Sequence, residues 1–538
     1  MRITNKVMQN NALVNINNNK VAQDMLNTQL ATGKKVNRPS EDPIVAIRAL
    51  RLRSDVDQVT QYLKKNVPDA VSWLELTEGA LKTTVSVLKD MIEQCEKGSS
   101  DQLKTEDRQV IIDSLNELYK EVYDTGKGDY AGRYIFTGYR TDTSLTFGTQ
   151  TEKKYVITEA FDRSALEQET FIDIASTSTD LRDLSETTFA NGTTPLITEN
   201  DITKVEYFRF RVAYGNLDED QTDLNNEVMN GAPVDPDDPS AGSVSQIAIN
   251  KLDADGNIAT TQYAEIMTDP AEAYEYIAAN PDALVMVPST GELLMGTNIY
   301  QEMQKSDDTY TITYTKTNWK STDLRPQHYF KVDTMDTLED AEGNPLMIHY
   351  NPDYPQNRTI GQPIEYQVGF NQSIQVNTYA EDVYKHGIGR DVMEITDLAN
   401  KLTDIENMKA KLKGMSEDTK YSEDERKAIA LDLEAAEKAE TFTKDQLQKK
   451  FSHFITKMQG YQHDADEART VVGNRSARLA LINNRLTDQK ETFDNLKSDN
   501  EDADETEVAV NLSSAEVSYE AALMATSSMI KTTLLNYL

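Results

Sequence analysis

Asp253-Ala254-Asp255-Gly256-Asn257 sets three oxygen-bearing side chains at alternate positions around a glycine, the opening of a calcium loop. Counted from Asp253, however, an EF-hand loop puts Ile258 where its glycine belongs and Ala264 where its closing glutamate belongs. A hairpin turn is expected instead. His463-Asp464-Ala465-Asp466-Glu467 also has metal-ligand types, but Ala465 falls on an apolar seam that turns the acids to the solvent side. The five histidines (His328, His349, His386, His453, His463) are scattered, with no His-Glu-x-x-His pair, nucleophile elbow or phosphate loop. Cys95, the single cysteine, lies on a second seam and reads as a small buried hydrophobe rather than a nucleophile. No catalytic residue, cofactor or metal is expected. The remaining candidates for chemistry are aromatics such as Trp319 and Tyr329, which would contact sugar if residues 141–380 formed a glycan-binding or enzymatic module and exposed them.

Apolar spacing defines the elements that must position these residues. Alternate steps of four and three residues from Leu447 meet Leu447, Phe451, Phe454, Met458, Tyr461, Ala465, Ala468, Val472, Arg475, Leu479, Ile482, Leu486, Gln489, Phe493 and Leu496. Thirteen of these fifteen positions are apolar, where a composition of 38% would give about six by chance. A 3.5-residue repeat held this long keeps one stripe facing a partner and marks a coiled-coil seam. At 1.5 Å per residue the helix is roughly 75 Å long and needs a partner as long.

That partner is expected from Pro43 to Cys95, along Leu52, Val56, Val59, Leu63, Val67, Ala70, Leu74, Thr77, Leu81, Thr84, Leu88, Met91 and Cys95. The alternation slips once, between Leu63 and Val67, beside Pro68. A proline there removes a backbone donor, so a kink or short break is expected near 66–68. The rod core is expected at Leu63, Leu74, Leu81 and Leu88 against Phe451, Phe454, Met458, Leu479, Ile482, Leu486, Phe493 and Leu496.

The first helix, about 3–31, carries Ile3, Val7, Val14, Val21, Met25 and Leu30 near heptad spacing, diluted by Asn11, Asn15, Asn17, Asn18 and Asn19. Asparagine is a poor helix former, so this helix needs neighbours. Thr32-Gly33-Lys34-Lys35 reads as its stop, and Asp42 before Pro43 as the cap of the next helix. A third helix spans about 106–123, and the glycines and aromatics of 128–139 read as an extended segment or hairpin leaving the helices. Residues 141–380 alternate like strands at 207–212, 309–314 and 364–368, between turns such as Asp255-Gly256-Asn257 and Glu342-Gly343-Asn344. One or two β-rich domains are expected there. Helical spacing returns from Val392 to Leu412, and a charged stretch at 421–440 leads into the long seam. Acids crowd 498–507, a good start for a last helix, about 507–535. Its Val510, Val517, Ala521, Met524, Ile530, Leu534 and Leu535 occupy more than one side, which implies several neighbours.

The fold class is therefore α+β: a long antiparallel coiled-coil or helical-bundle rod built from both chain ends, with β-rich domains inserted in the middle. The expected domains are 1–42 with 500–538 (terminal axial helices), 43–140 with 382–499 (rod), and 141–381 (outer). A net charge of −35 over 538 residues speaks against nucleic acid and anionic membranes as partners. No run of 18 apolar residues suggests membrane insertion, and the first residues lack the apolar run of a Sec-type signal peptide.

With these residues in view, the chain resembles the hook-associated protein 3 family, the hook–filament junction branch of the flagellin-like proteins. The resemblance rests on 29–43 (Gln29-Leu30-Ala31-Thr32-Gly33-Lys34-Lys35-Val36-Asn37-Arg38-Pro39-Ser40-Glu41-Asp42-Pro43) and on Gly132-Arg133-Tyr134-Ile135-Phe136-Thr137-Gly138-Tyr139. It rests also on Asn484-Arg485-Leu486, Asn511-Leu512-Ser513-Ser514-Ala515-Glu516 and Thr533-Leu534-Leu535-Asn536-Tyr537-Leu538. Pro68 and the long middle depart from the family pattern.

The resemblance implies paired termini in an inner helical domain and an assembly role at the hook–filament junction of an extracellular bacterial flagellum. It further implies self-association, contact with a neighbouring hook-associated protein and flagellin, export through the flagellar type III apparatus without a cleaved signal peptide, and a chaperone on the C-terminal helix. The assembly surface is expected at Ile3, Val7, Val14, Val21, Met25, Val510, Val517, Ala521, Met524, Ile530, Leu534, Leu535 and Leu538. Residues about 1–40 and 505–538 are expected to be poorly ordered until assembly. The alternatives are a flagellin filament subunit, and a glycan-binding or enzymatic outer domain on a coiled-coil stalk.

Overall fold

The computed structural model describes residues 5–100, 103–175, 179–186, 194–225, 227–229, 232–233, 243–339, 345–355 and 362–535. Its helices are α1 (Asn5–Thr32), α2 (Pro43–Gln61), α3 (Val67–Gly98), α4 (Thr105–Thr125), α5 (Pro270–Ala279), α6 (Thr297–Lys305), α7 (Ala380–Val383), α8 (His386–Glu417), α9 (Glu423–Glu501) and α10 (Glu505–Leu535). The strands begin with β1 (Asp129–Tyr130), β2 (Arg133–Tyr134), β3 (Thr151–Phe161), β4 (Leu166–Asp173), β5 (Thr203–Arg211), β6 (Ala232–Pro233), β7 (Ser243–Val244) and β8 (Ile247–Leu252). They continue with β9 (Ile258–Ile266), β10 (Leu284–Val287), β11 (Glu292–Met295), β12 (Tyr310–Trp319), β13 (Lys331–Glu339), β14 (Pro345–Tyr350), β15 (Glu365–Gly369) and β16 (Gln372–Gln375). The chain divides into two compact units, one of 1–71, 366–374 and 476–538, the other of 72–365 and 375–475.

In the first unit, Asp42 caps α2 by accepting from the amides of Ile44 (2.9 Å) and Val45 (3.1 Å), with Pro43 at the first helical position. The kink or break expected near 66–68 is instead a π-turn, Tyr62–Asn66, joining α2 to α3 without interruption. The Val67 amide donates to the Tyr62 carbonyl, five residues back. A π-turn absorbs one extra residue, which is what the slip between Leu63 and Val67 requires. The β15–β16 hairpin closes on this turn: Asn66 Nδ2 donates to the Gln367 carbonyl (2.7 Å), and Phe370 meets the Tyr62 ring edge-on at 5.8 Å. Arg485 of α9 donates to Gln372 from the other side. Val56, Val59, Tyr62, Val67 and Ala70 are buried here, as are Leu479, Ile482 and Leu486 of α9.

The second unit joins a helical bundle to one sheet. In α3, Leu74, Leu81, Leu88 and Cys95 are buried; in α9, Phe451, Phe454, Met458, Ala465 and Val472 are. Gly98 ends α3 against the Phe451 ring, where a Cβ would sit 2.6 Å from it. Antiparallel helices α4 and α8 are pinned by Arg108 to Glu406 (3.1 Å), Asn116 to Thr396 (3.1 Å) and the Tyr123 hydroxyl to the Lys385 carbonyl (2.9 Å).

In the β-rich middle expected from the sequence, ten strands form a single sheet in the order β14-β13-β3-β12-β8-β9-β10-β11-β5-β4. Every neighbouring pair is antiparallel except β9–β10. Helix α5 covers part of it through Ala273, Tyr274 and Ile277, which pack on Val285, Val287 and Leu294. Asp253-Ala254-Asp255-Gly256-Asn257 is the β8–β9 turn, its Asp253 carboxylate accepting from the amides of Asp255 (2.9 Å) and Asn257 (2.8 Å). The turn expected at Glu342-Gly343-Asn344 lies outside the described residues.

A buried ionic cluster fastens the sheet to the bundle. Arg209 of β5 pairs with Glu292 of β11, with Glu167 of β4 (2.8 Å) and with Glu394 of α8 (3.0 Å). Arg211 reaches Asp391 and Glu394 (2.7 Å) of α8. From α9, Lys450 holds Glu394 (2.6 Å) and Lys457 holds Glu167 (2.5 Å). Each buried charge in this group has a partner, which is the condition under which buried charges are tolerable.

Candidate assembly interface

Helices α1 and α10 lie antiparallel, with Asn19 Nδ2 donating to the Ser518 carbonyl (3.5 Å) midway. In α1 no described side chain is buried, although Val7 (47% exposed), Val14 (55%), Val21 (68%) and Met25 (44%) would all gain by leaving water. In α10, Val508 alone is buried among the described side chains, while Val510 (62%), Val517 (65%) and Met524 (71%) stand out and Ala521 is exposed. Two helices side by side cover one stripe each, and these sequences carry apolar residues on more sides than that. Apolar side chains left in water along both helices make this pair the candidate interaction surface.

The pair is tied at one end by a latch. Gly33 ends α1 in the left-handed conformation (φ +67°), which a residue with a Cβ adopts only with strain, and its amide donates to the Gln29 carbonyl (2.8 Å). The chain beyond it bridges to the end of α9: the Lys35 amide donates to the Glu501 carbonyl (2.7 Å), and the Ala503 amide to the Gly33 carbonyl (2.9 Å). Lys34 pairs with Asp502 and, at 3.5 Å, with Glu501. Arg53 of α2 grips Glu501 with Nε (2.6 Å) and Nη2 (2.7 Å). The Arg53 hydrogen bond holds the Glu501 carboxyl below its ordinary range, and the Lys34 hydrogen bond does the same for Asp502. Asp504 then caps α10 through the amides of Thr506 (2.9 Å) and Glu507 (3.2 Å).

Of the residues expected to form the assembly surface, Ile3 and Leu538 lie outside the described residues, as do the side chains of Ile530, Leu534 and Leu535. The rest are exposed, as given above. Along the expected rod core, Leu74, Leu81, Leu88, Phe451, Phe454, Met458, Leu479, Ile482 and Leu486 are buried. Three positions depart from that expectation: Leu63 and Phe493 are half-buried, and Leu496 is 47% exposed. Near Leu496, α9 meets α2, as in Asn500 Nδ2 to the Val45 carbonyl (3.2 Å), and the segment after α1, as in Lys35 Nζ to the Asp499 carbonyl (2.6 Å), and these neighbours enclose only a narrow stripe.

The candidates for chemistry are placed plainly. Cys95 is buried, and that burial pushes its thiol up, away from the reactive thiolate. His328 is held neutral by burial, pulled down to about 3, with Nε2 3.2 Å from the Ser144 carbonyl. His453 and His463 are exposed on α9. Among the described residues no group of three or more His, Cys, Asp or Glu side chains could hold a metal ion, and no helix is long and apolar enough to cross a membrane. Trp319 and Tyr329, taken as exposed sugar contacts from sequence, are 1% and 4% exposed. Trp319 lies under a stacked Phe147 ring at 4.7 Å, and Tyr329 meets the His386 ring edge-on at 4.5 Å.

Residues 3–141 match the family model of the bacterial flagellin N-terminal helical region. Over 124 residues the chain is 32% identical to a flagellin of Clostridium tyrobutyricum, covering 23% of this chain and 32% of that one. Over 145 residues it is 28% identical to the flagellar hook-associated protein 3 of Salmonella typhimurium, covering 27% of this chain and 45% of the relative. The chain thus spans less than half the length of each of these relatives. Among solved structures, FlgL of Xanthomonas campestris aligns over 82% of this chain and 98% of that one, at 10% identity and a TM-score of 0.27. The flagellar junction protein FlgL from Legionella pneumophila aligns over 80% and 99%, at 10% identity and a TM-score of 0.26. By sequence, then, residues 3–141 are similar to the flagellin N-terminal helical region, and parts of the chain are similar to a flagellin and to a hook-associated protein 3.

Proposed function

We propose that this chain is a structural subunit of the bacterial flagellum that joins hook to flagellin filament and polymerises through its terminal helices. The observation that carries the reading is the unburied apolar surface of α1 and α10 beside a latch that fixes where the pair begins. Burying one Val or Leu contributes about 1.5–3 kcal/mol, so such contacts with neighbouring copies, added to the helical hydrogen bonds, offset part of the ordering cost of two terminal segments. In this reading 1–42 with 500–538 form the axial layer, 43–140 with 382–499 the rod, and 141–381 an outer domain. The role is non-enzymatic. The partners are other copies, a neighbouring hook-associated protein and flagellin. Export through the flagellar type III apparatus and a chaperone over α10 until delivery belong to the same reading, as does an extracellular location.

Imaging flagella that carry the labelled chain tests this. One band where hook meets filament is expected. Label spread along the whole filament would instead favour a filament subunit, the reading that the 32% identity to a flagellin supports. Absence of label from flagella overturns both.

A further inference from the structure

A cavity of about 360 Å³ lies between β12 and helices α4 and α8, in the size range of small-molecule sites. Its walls are aromatic: Tyr214 packs edge-on against Trp319 at 5.1 Å and against His386 at 4.8 Å. Three cations line it, Lys316, Lys320 and Arg390, against one carboxylate, Asp323. Among the described residues none of the three is ion-paired. Lys316 Nζ donates to the carbonyls of Gly215 (2.7 Å) and Asn216 (3.0 Å), Arg390 Nη2 donates to the Thr290 carbonyl, and the buried Arg390 Nε has no partner. Asp323 spends one oxygen on the Lys320 amide (3.0 Å).

The contrast with the adjacent cluster is informative, because there the fold gives Arg209 and Arg211 two or more carboxylates each. Burial without such a partner draws Lys316 down to about 8 and Arg390 down to about 10. Lys316 and Arg390 are buried with carboxylates acting only at a distance (Asp323 and Asp218; Glu292 and Glu394), and an anion entering the cavity would relieve the cost of keeping them there. In a chain of net charge −35, a pocket lined this way is not an average patch of surface.

We infer that this cavity binds a small organic carboxylate, its charge held by Arg390, Lys316 and Lys320. The inference stands apart from the assembly reading.

Benzoate is the probe, with benzamide as its uncharged isostere, titrated into the full chain at constant ionic strength. Thermal unfolding and tryptophan fluorescence are read together. A saturable rise in Tm with a change in fluorescence is expected for benzoate and not for benzamide. Lys320 is exposed, so K320Q should fold normally and weaken binding about three- to fivefold, the share of one rim charge. R390Q should abolish binding; should it fail to fold, K320Q decides. No saturable benzoate effect, an equal effect of benzamide, or K320Q binding as the parent does would each overturn the inference.

Discussion

Arg53 and Glu501 stand 448 positions apart in sequence and meet as a bidentate pair, guanidinium Nε and Nη2 against both carboxylate oxygens at 2.6 and 2.7 Å. The carboxylate is almost wholly buried, while Arg53 remains half exposed. A bidentate pair fixes orientation as well as distance. It therefore sets where α9 stops and where the strand-like bridge to Gly33 begins.

Replacing Arg53 by alanine should leave Glu501 with Lys34, at 3.5 Å, as its remaining counter-charge. A loss of about 1–2 kcal/mol is expected, kept small by the exposure of Arg53. Amide exchange at Lys35 and Ala503, whose bridge the pair supports, should quicken in R53A while the buried half of α3 keeps its protection. Unchanged exchange at both amides would show that the pair is ornamental.

Acid should loosen the sheet from the bundle. Burial alone would raise the Glu394 carboxyl, but the charges of Arg209, Lys450 and Arg211 outweigh it and hold the group well below its ordinary value. Glu167 is held down in the same way by Arg209, Arg211 and Lys457. A carboxyl depressed in the folded state adds stability above its unfolded pKa of about 4.3, and that stability is lost as pH falls below it. Unfolding midpoints should fall steeply below about pH 4. E394Q should be about 1–3 kcal/mol less stable at neutral pH, because it takes one carboxylate from Arg209, Arg211 and Lys450 while Glu292, Asp391 and Glu169 remain, and should have a flatter acid limb.

Asp432 of α9 has the opposite sign. One oxygen accepts from the amides of Leu196 (2.9 Å) and Ile197 (2.7 Å), the other has no partner, and burial pushes the carboxyl up to about 6. A carboxyl raised in the folded state destabilises when ionised, so its penalty is present at pH 8 and fades as pH falls below about 6. D432N keeps the acceptor and removes the charge. It should be more stable than the parent by about 1–2 kcal/mol at pH 8, with about half the gap left at pH 5 and little by about pH 4. Equal stability at pH 8 would contradict this.

Two leucines of one heptad series should behave differently. L479A, at a fully buried site, should cost about 2–5 kcal/mol, whereas L496A, at a site 47% exposed, should cost less than about 1 kcal/mol in the free chain. Thermal denaturation of the two variants measures the difference.

Periodicity makes the helices legible in the sequence: the series from Leu447 lies wholly inside α9, and the slip beside Pro68 marks the π-turn. The form of that turn is not legible, since a proline and an extra residue together are read as a break. Spacing also says which residues share a stripe, not how far along the stripe a partner covers it, which is why Leu496 is misjudged. Alternation in β12 likewise places Trp319 on a face without saying what lies over that face. The latch and the Arg209 cluster leave almost no local trace, because their partners are brought together by tertiary folding. The one hint is the basic Lys34-Lys35 set against the acids of 498–507, read from sequence as a helix-dipole effect.

The central claim is that α1 and α10 form a surface completed by other copies. Amide exchange of these two helices, in the dilute free chain and again in assembled flagella, tests it most directly. Weak protection in the free chain and strong protection after assembly are expected for 5–32 and 505–528. Equal, strong protection in both states would contradict the claim, because the pair would then already be complete on its own.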